Sequence, residues 1–267
     1  MKYIINLGDF NVPNYEDIKK VFNLTNSEIN VCNFIKQANG GDKRSQLKDK
    51  IFESFNLDLS EGKNIFLINN NLSHEVSALT SAVCFRNNGK DNNRKIIINF
   101  DKHKDYVNNQ YSSNTPIQYS NWGKCIHRQD YKGFINKGTN YSYYSTDEGM
   151  SKLEDLIKDI QSNTLDTDLY VTVDTDVYKE SCTSYGDGNF DFDVIYEYIR
   201  KLKNCTGSKV NFCGADVTGC ADTISGYYNI NDKRTYLYEL TKQEQKSVID
   251  NAVKKIQTLL NFFETWN

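Results

Sequence analysis

Apolar residues fall along this chain in short runs of two kinds. Residues 3–7, 29–34, 65–68, 96–100, 169–173 and 210–217 are compact runs rich in Ile, Val and aromatic residues, and they read as strands. Between them the spacing changes to three and four. Leu47, Ile51 and Phe55 fit a helix over 44–55, and a helix is expected from about His74 to Phe85. Leu153, Leu156, Ile157 and Ile160 mark another over 149–161, and Val194, Ile195, Tyr198 and Ile199 one over 192–202. Ile249, Val253, Ile256, Leu260 and Phe263 form one stripe of a last helix over 242–263. Strands that alternate with helices predict an α/β fold, a three-layer α-β-α arrangement with a mostly parallel central sheet. Residues 36–43, with Gly40 and Gly41, and 87–93 read as turns, and 132–137 as a further strand. The stretch 106–123, which holds Pro116, reads as a long polar and aromatic loop. No linker interrupts the pattern, so residues 1–267 are expected to form a single domain.

The strands end in unusual chemistry. The run Ile96-Ile97-Ile98-Asn99-Phe100 passes into Asp101-Lys102-His103-Lys104-Asp105. In extended chain, residues two apart share a face. If that geometry persists, Asp101, His103 and Asp105 point the same way. Clustered carboxylates repel unless a cation lies between them, so a metal site fits this pattern better than a core does. A second run ends in Asp174-Thr175-Asp176, where alternation again puts both carboxylates on one face, and a third is followed by Asn71-Leu72-Ser73-His74 at the start of a helix. In open α/β sheets ligands bind outside the carboxyl ends of strands. Two His and four Asp form an oxygen-rich set with some imidazole, suited to Mn²⁺ and less specifically to other divalent ions.

Composition narrows the function classes. The formal net charge is −3 and the basic residues are dispersed, which argues against a nucleic-acid role. The seven Cys are odd in number and none has CxxC spacing, so free thiols in a reducing cytoplasm are expected. The first residues lack the apolar core of a signal peptide, and no apolar run reaches the ~18 residues of a membrane span. The expectation is a cytoplasmic protein with no membrane partner. The segment Asp187-x-Asn189-x-Asp191-x-Asp193 opens like a calcium loop but has Phe192 for Gly at its sixth place and Tyr198 for Glu at its twelfth. A solvated helix N-terminus accounts for it better.

The strand-end motifs resemble those of the arginase/agmatinase (ureohydrolase) family. That family carries Gly-Gly-Asp-His after one strand, Asp-Ala-His-x-Asp after the next and Ser-x-Asp-x-Asp after a later one. Here the second is Asp101–Asp105 and the third is Thr172-Val173-Asp174-Thr175-Asp176, while the first keeps only His74. The resemblance implies two Mn²⁺ ions. His74, Asp101, Asp105 and Asp174 would hold one; Asp101, His103, Asp174 and Asp176 would hold the other. It further implies that a hydroxide between the ions, held by Asp105, attacks a guanidinium carbon. Members of that family tend to be trimers or hexamers, so a homo-oligomer is an expectation from the resemblance.

The substrate side departs from the family pattern. Where the family has a His-Gly segment whose His shuttles protons, this chain has Ser120-Asn121-Trp122-Gly123. His127, a few residues on, either takes over the proton or is a surface residue. After Asp176 a family Asp is replaced by Lys179, and the Pro-Gly-Thr-Gly loop by Thr183-Ser184-Tyr185-Gly186-Asp187-Gly188. A family Glu that meets the guanidinium falls at Gly219, so Asp216 or Asp222 would have to serve. The expected substrate contacts are Asn121, Trp122, Asp187 and Asp216, with Tyr143 and Tyr144 as further pocket wall. The reading is a binuclear hydrolase that cleaves a C–N bond of a small guanidino compound, a related linear amidine or a peptide arginine side chain. Two other readings stand beside it. One is a deacetylase-like metal amidohydrolase, disfavoured because such proteins use a His pair as acid and base and this chain has three His in all. The other is a non-catalytic protein that binds metal or a guanidino ligand.

Overall fold

A computed structural model describes residues 2–6, 28–32, 65–69, 80–81, 84–85, 88–103, 121–130, 140–144, 146–183, 188, 190–219, 227–230 and 233–266. Strands β1 (Lys2–Asn6), β2 (Glu28–Cys32), β3 (Ile65–Asn69), β4 (Arg94–His103), β5 (Asn121–Asp130), β6 (Asn140–Tyr144), β7 (Thr167–Asp174) and β8 (Val210–Thr218) form one sheet in the order β2-β1-β3-β8-β7-β4-β5-β6. From β2 to β4 every neighbouring pair is parallel, and β5 and β6 extend the sheet with two antiparallel pairings. A small hairpin, β9 (Tyr227–Ile230) with β10 (Lys233–Tyr236), lies outside it. The described helices are α1 (Thr146–Ser162), α2 (Phe192–Thr206) and α3 (Lys242–Glu264), and residues 80, 81, 84, 85 and 88 are also helical.

The sheet has one apolar face and one polar face, and strand alternation makes both. On β4, Ile96, Ile98 and Phe100 join the main core, as do Leu169, Val171 and Val173 on β7. Leu156, Ile157 and Ile160 of α1 cover them, with Ile195, Ile199 and Leu202 of α2 and Ile256, Leu260 and Phe263 of α3. Each fully buried side chain of this size contributes about 1.5–3 kcal/mol. The alternate residues of β7 are Asp168, Tyr170, Thr172 and Asp174, all buried, and they form a polar file on the opposite face. The helical residues near 85 cover that side: Phe85 meets Tyr170 edge-on at 6.4 Å, and Asn88 Nδ2 donates to the carbonyl of Cys213. This gives the three-layer α-β-α arrangement.

β8 carries one extra residue and matches the polar file because that residue is bulged out. Leu169 pairs with Phe212, yet Tyr170 pairs with Gly214, so Cys213 is bulged out. The bulge inverts the alternation. Phe212 and then Ala215 and Val217 join the apolar core, while Asn211 and then Asp216 bond to the polar file and Thr218 donates to Asp216.

At the start of β7, Asp168 is buried and fully engaged. It accepts from the backbone N–H of Lys90 (2.8 Å), Asn93 Nδ2 (2.9 Å) and Asn211 Nδ2 (2.8 Å), with Lys95 Nζ at 3.5 Å. This carboxylate ties the turn before β4 to the sheet and lies at the edge opposite the strand C-termini.

Several expected elements differ. Residues 121–123 begin β5 instead of ending a loop, and His127 is a strand residue. The expected strand over 132–137 lies outside the described residues, and the strands on either side of it end at Asp130 and begin at Asn140. Among the described residues no helix is long and apolar enough to cross a membrane.

Candidate metal centre

The parallel sheet brings the ends of β4 and β7 side by side, with Asn99 level with Thr172 and Phe100 with Val173. The next residues are Asp101 and Asp174. One carboxylate oxygen each from Asp101, Asp174 and Asp176 lies within 4.8 Å of the others, and all three residues are buried. A carboxylate this deep is costly unless a cation or hydrogen bonds compensate it.

Each Asp is set by its own local geometry. Asp101 continues the polar side of β4, and Asn99 Nδ2, two residues back on the same face, donates to its Oδ2 at 3.2 Å. Asp174 ends β7 and caps the 3₁₀ turn Thr175–Val177, its Oδ1 accepting from the backbone N–H of Asp176 at 3.0 Å. Asp176 therefore lies on a turn and not on the strand. The expectation that strand alternation puts Asp174 and Asp176 on one face is corrected here: the chain coils at Thr175, and the turn delivers Asp176 to the cluster. Strand alternation is also interrupted on β4, where the register with β5 shifts between Asp101 and His103.

Below the cluster lies a buried network. Asp216 accepts from Tyr170 Oη (2.7 Å), Thr172 Oγ1 (2.8 Å) and Thr218 Oγ1 (2.9 Å). Thr218 is level with Asp174 across the β7–β8 pairing. Immediately after it, Gly219 has φ +73 and lies against the cluster: a Cβ there would stand 2.8 Å from Asp174 Oδ1 and 3.0 Å from Thr175 Oγ1. The Thr175 hydroxyl donates to the Gly219 carbonyl. Cys84 is buried nearby, and burial, then the charges of Cys213 and Asp216, pushes its thiol well above the usual range.

No protein-family model matches the sequence, and neither does any curated protein. Solved structures do match the fold. The arginase from Bacillus subtilis aligns with a TM-score of 0.52 at 10% identity, over 97% of this chain and 98% of that one. The arginase from Bacillus caldovelox gives 0.51 at 12% identity, over 97% of both chains. A hypothetical agmatinase from Burkholderia thailandensis gives 0.50 at 11%, over 99% of this chain and 86% of that one.

The chain has the arginase fold.

Within this arginase fold, the described structure brings together three of the six expected metal ligands, Asp101, Asp174 and Asp176. The backbone of His103 ends β4 at the same sheet edge. His74, Asp105, Asp187 and Asp222 lie outside the described residues. Asn121 is level with His103 across the β4–β5 pairing and Trp122 follows it, so the backbone of both lies at the site edge. His127 is level with Asn99, further from that edge than Asp101. Asp216 is two residues inside the end of β8, its carboxylate engaged by three hydroxyls. Three contributors escape a sequence reading: Asn99, Thr175 and Gly219. A strand-end Asp-Thr-Asp shows no sign that the Thr bridges to a distant glycine.

Proposed function

We propose that this chain is a divergent member of the arginase/agmatinase family, a binuclear Mn²⁺ hydrolase that cleaves a C–N bond in a guanidino or related linear amidine substrate. The observation that carries the reading is the convergence of buried Asp101, Asp174 and Asp176 at adjacent strand ends of an arginase fold. The donor set fits the ions: three hard carboxylate oxygens lie within 4.8 Å of one another. Asp101 and Asp174 would bridge, His74 and Asp105 would complete one position, and His103 and Asp176 the other. When bound, such ions supply Lewis acidity and activate water at neutral pH.

The protein's own groups do the rest. Asp105 holds the attacking water by a hydrogen bond, and His127 carries the proton to the leaving amine. Asn121, Trp122 and Asp187 line the substrate side. Asp216, its oxygens taken by Tyr170, Thr172 and Thr218, supports the floor of the site instead of meeting substrate. Substrates include small guanidino compounds and arginine side chains in peptides.

A second reading has its own support. Gly219 presents no side chain, and its backbone is packed on Asp174, so nothing at that position reaches outward to a guanidinium. That favours a metal- or guanidino-binding protein without turnover. Calorimetric titration of the purified full chain with Mn²⁺, followed by urea and ammonia assays over arginine, agmatine, other guanidino acids and an arginine peptide, decides between them. Two bound ions with urea release support the hydrolase. Two bound ions without turnover on any member of the panel support the metal-binding protein, and no bound ion ends both of these.

A further inference from the structure

Resting on the metal reading above, we infer that Gly219 and Thr175 together are positioning residues that fix the Asp174 carboxylate in this chain. Three observations point there. The Gly219 backbone is left-handed, at φ +73, a region that favours glycine. A Cβ at this residue would sit 2.8 Å from Asp174 Oδ1, closer than carbon and oxygen approach without a shift. The Thr175 hydroxyl donates to the Gly219 carbonyl, which clamps the end of β8 onto the turn that follows Asp174.

The same Asp174 Oδ1 accepts the Asp176 N–H at 3.0 Å. One oxygen is thus bounded by the 3₁₀ turn on one side and by the bare face of Gly219 on the other. Gly219 is itself buried, so a side chain added there has to displace the Asp174 carboxylate. Moving this oxygen by the few tenths of an ångström that a methyl group demands changes its distance to Asp101 and Asp176 together. Groups that orient metal ligands from outside typically change affinity by about 10- to 100-fold when altered.

The test measures Mn²⁺ affinity by calorimetry on the full chain, with circular dichroism and metal-free melting curves as controls of folding. Gly219→Ala and Thr175→Val are each expected to weaken Mn²⁺ binding about 10- to 100-fold. Thr175→Ser, which keeps the hydroxyl, is expected to bind like the parent. Should Gly219→Ala fail to fold, Thr175→Val against Thr175→Ser carries the test alone. Folded variants that melt lower yet bind Mn²⁺ as the parent does would mean that the clamp is merely structural, and the inference is overturned while the metal reading stands. A parent chain that binds no Mn²⁺ overturns both.

Discussion

Asp101, Asp174 and Asp176 set the residue-scale chemistry: like charges buried together lower the stability of the protein while no cation offsets them, and under the proposed function they would hold the metal. Asp176→Asn removes one charge and keeps the shape. It is expected to raise metal-free stability and to weaken Mn²⁺ binding; urea unfolding and calorimetry measure the two arms. The buried thiols behave oppositely with pH. Burial raises both Cys84 and Cys213 above the ordinary thiol value of 9.0, so the folded state keeps protons that the unfolded chain releases. Their contribution is complete below that value and declines as the pH rises beyond it. Urea midpoints at pH 8 and pH 10 are expected to fall with pH, and Cys84→Ala to flatten the fall. At this scale the sequence was informative about which acids matter. Asp101, Asp174 and Asp176 are legible because acids after buried runs have few other uses. Gly219 and Thr175 are not legible, because their contact joins residues 44 apart through a hydroxyl and a carbonyl that many threonines and glycines possess.

Elements show why some boundaries were readable and others not. β4, β7 and β8 are buried on both faces and carry dense Ile, Val and Phe, so their pattern is strong. β5 reads NWGKCIHRQD, a sequence with few apolar residues, and β5 and β6 form the antiparallel end of the sheet. Nothing in such a composition separates a strand from a loop, and only the neighbour β4 makes it one. The last helix was plain from its stripe, but the packing of Trp266, just beyond its end at Glu264, was not. Trp266 stacks on Phe212 at 4.6 Å with the rings 6° from parallel, and Phe263 lies 6.0 Å from the same ring. Trp266→Ala is expected to cost about 3 kcal/mol in urea unfolding. Because this stack belongs to the apolar face, Mn²⁺ affinity is expected to stay unchanged in the same variant. At the other end of α3, Thr241 and Glu244 form a reciprocal capping box, and Thr241→Ala is expected to cost about 1 kcal/mol by the same measurement.

For the whole molecule, the α-β-α layering was legible because the alternation of periods two and four repeats along the chain. Under the proposed function, metal binding at the joint of β4 and β7 would link the site to global stability: Mn²⁺ at about 100 times its Kd is expected to add about 2.7 kcal/mol to unfolding, and EDTA to remove it, as followed by thermal melts. The bulge at Cys213 has a larger consequence. Pulled straight, with Cys213 opposite Tyr170, β8 would turn Asp216 and Thr218 toward the helices and set Ala215 and Val217 against the carboxylates, whereas loss of Cys213 itself leaves every later pairing as it is. Loss of one residue between Gly214 and Asp216 would exchange the two faces of the strand end that follows.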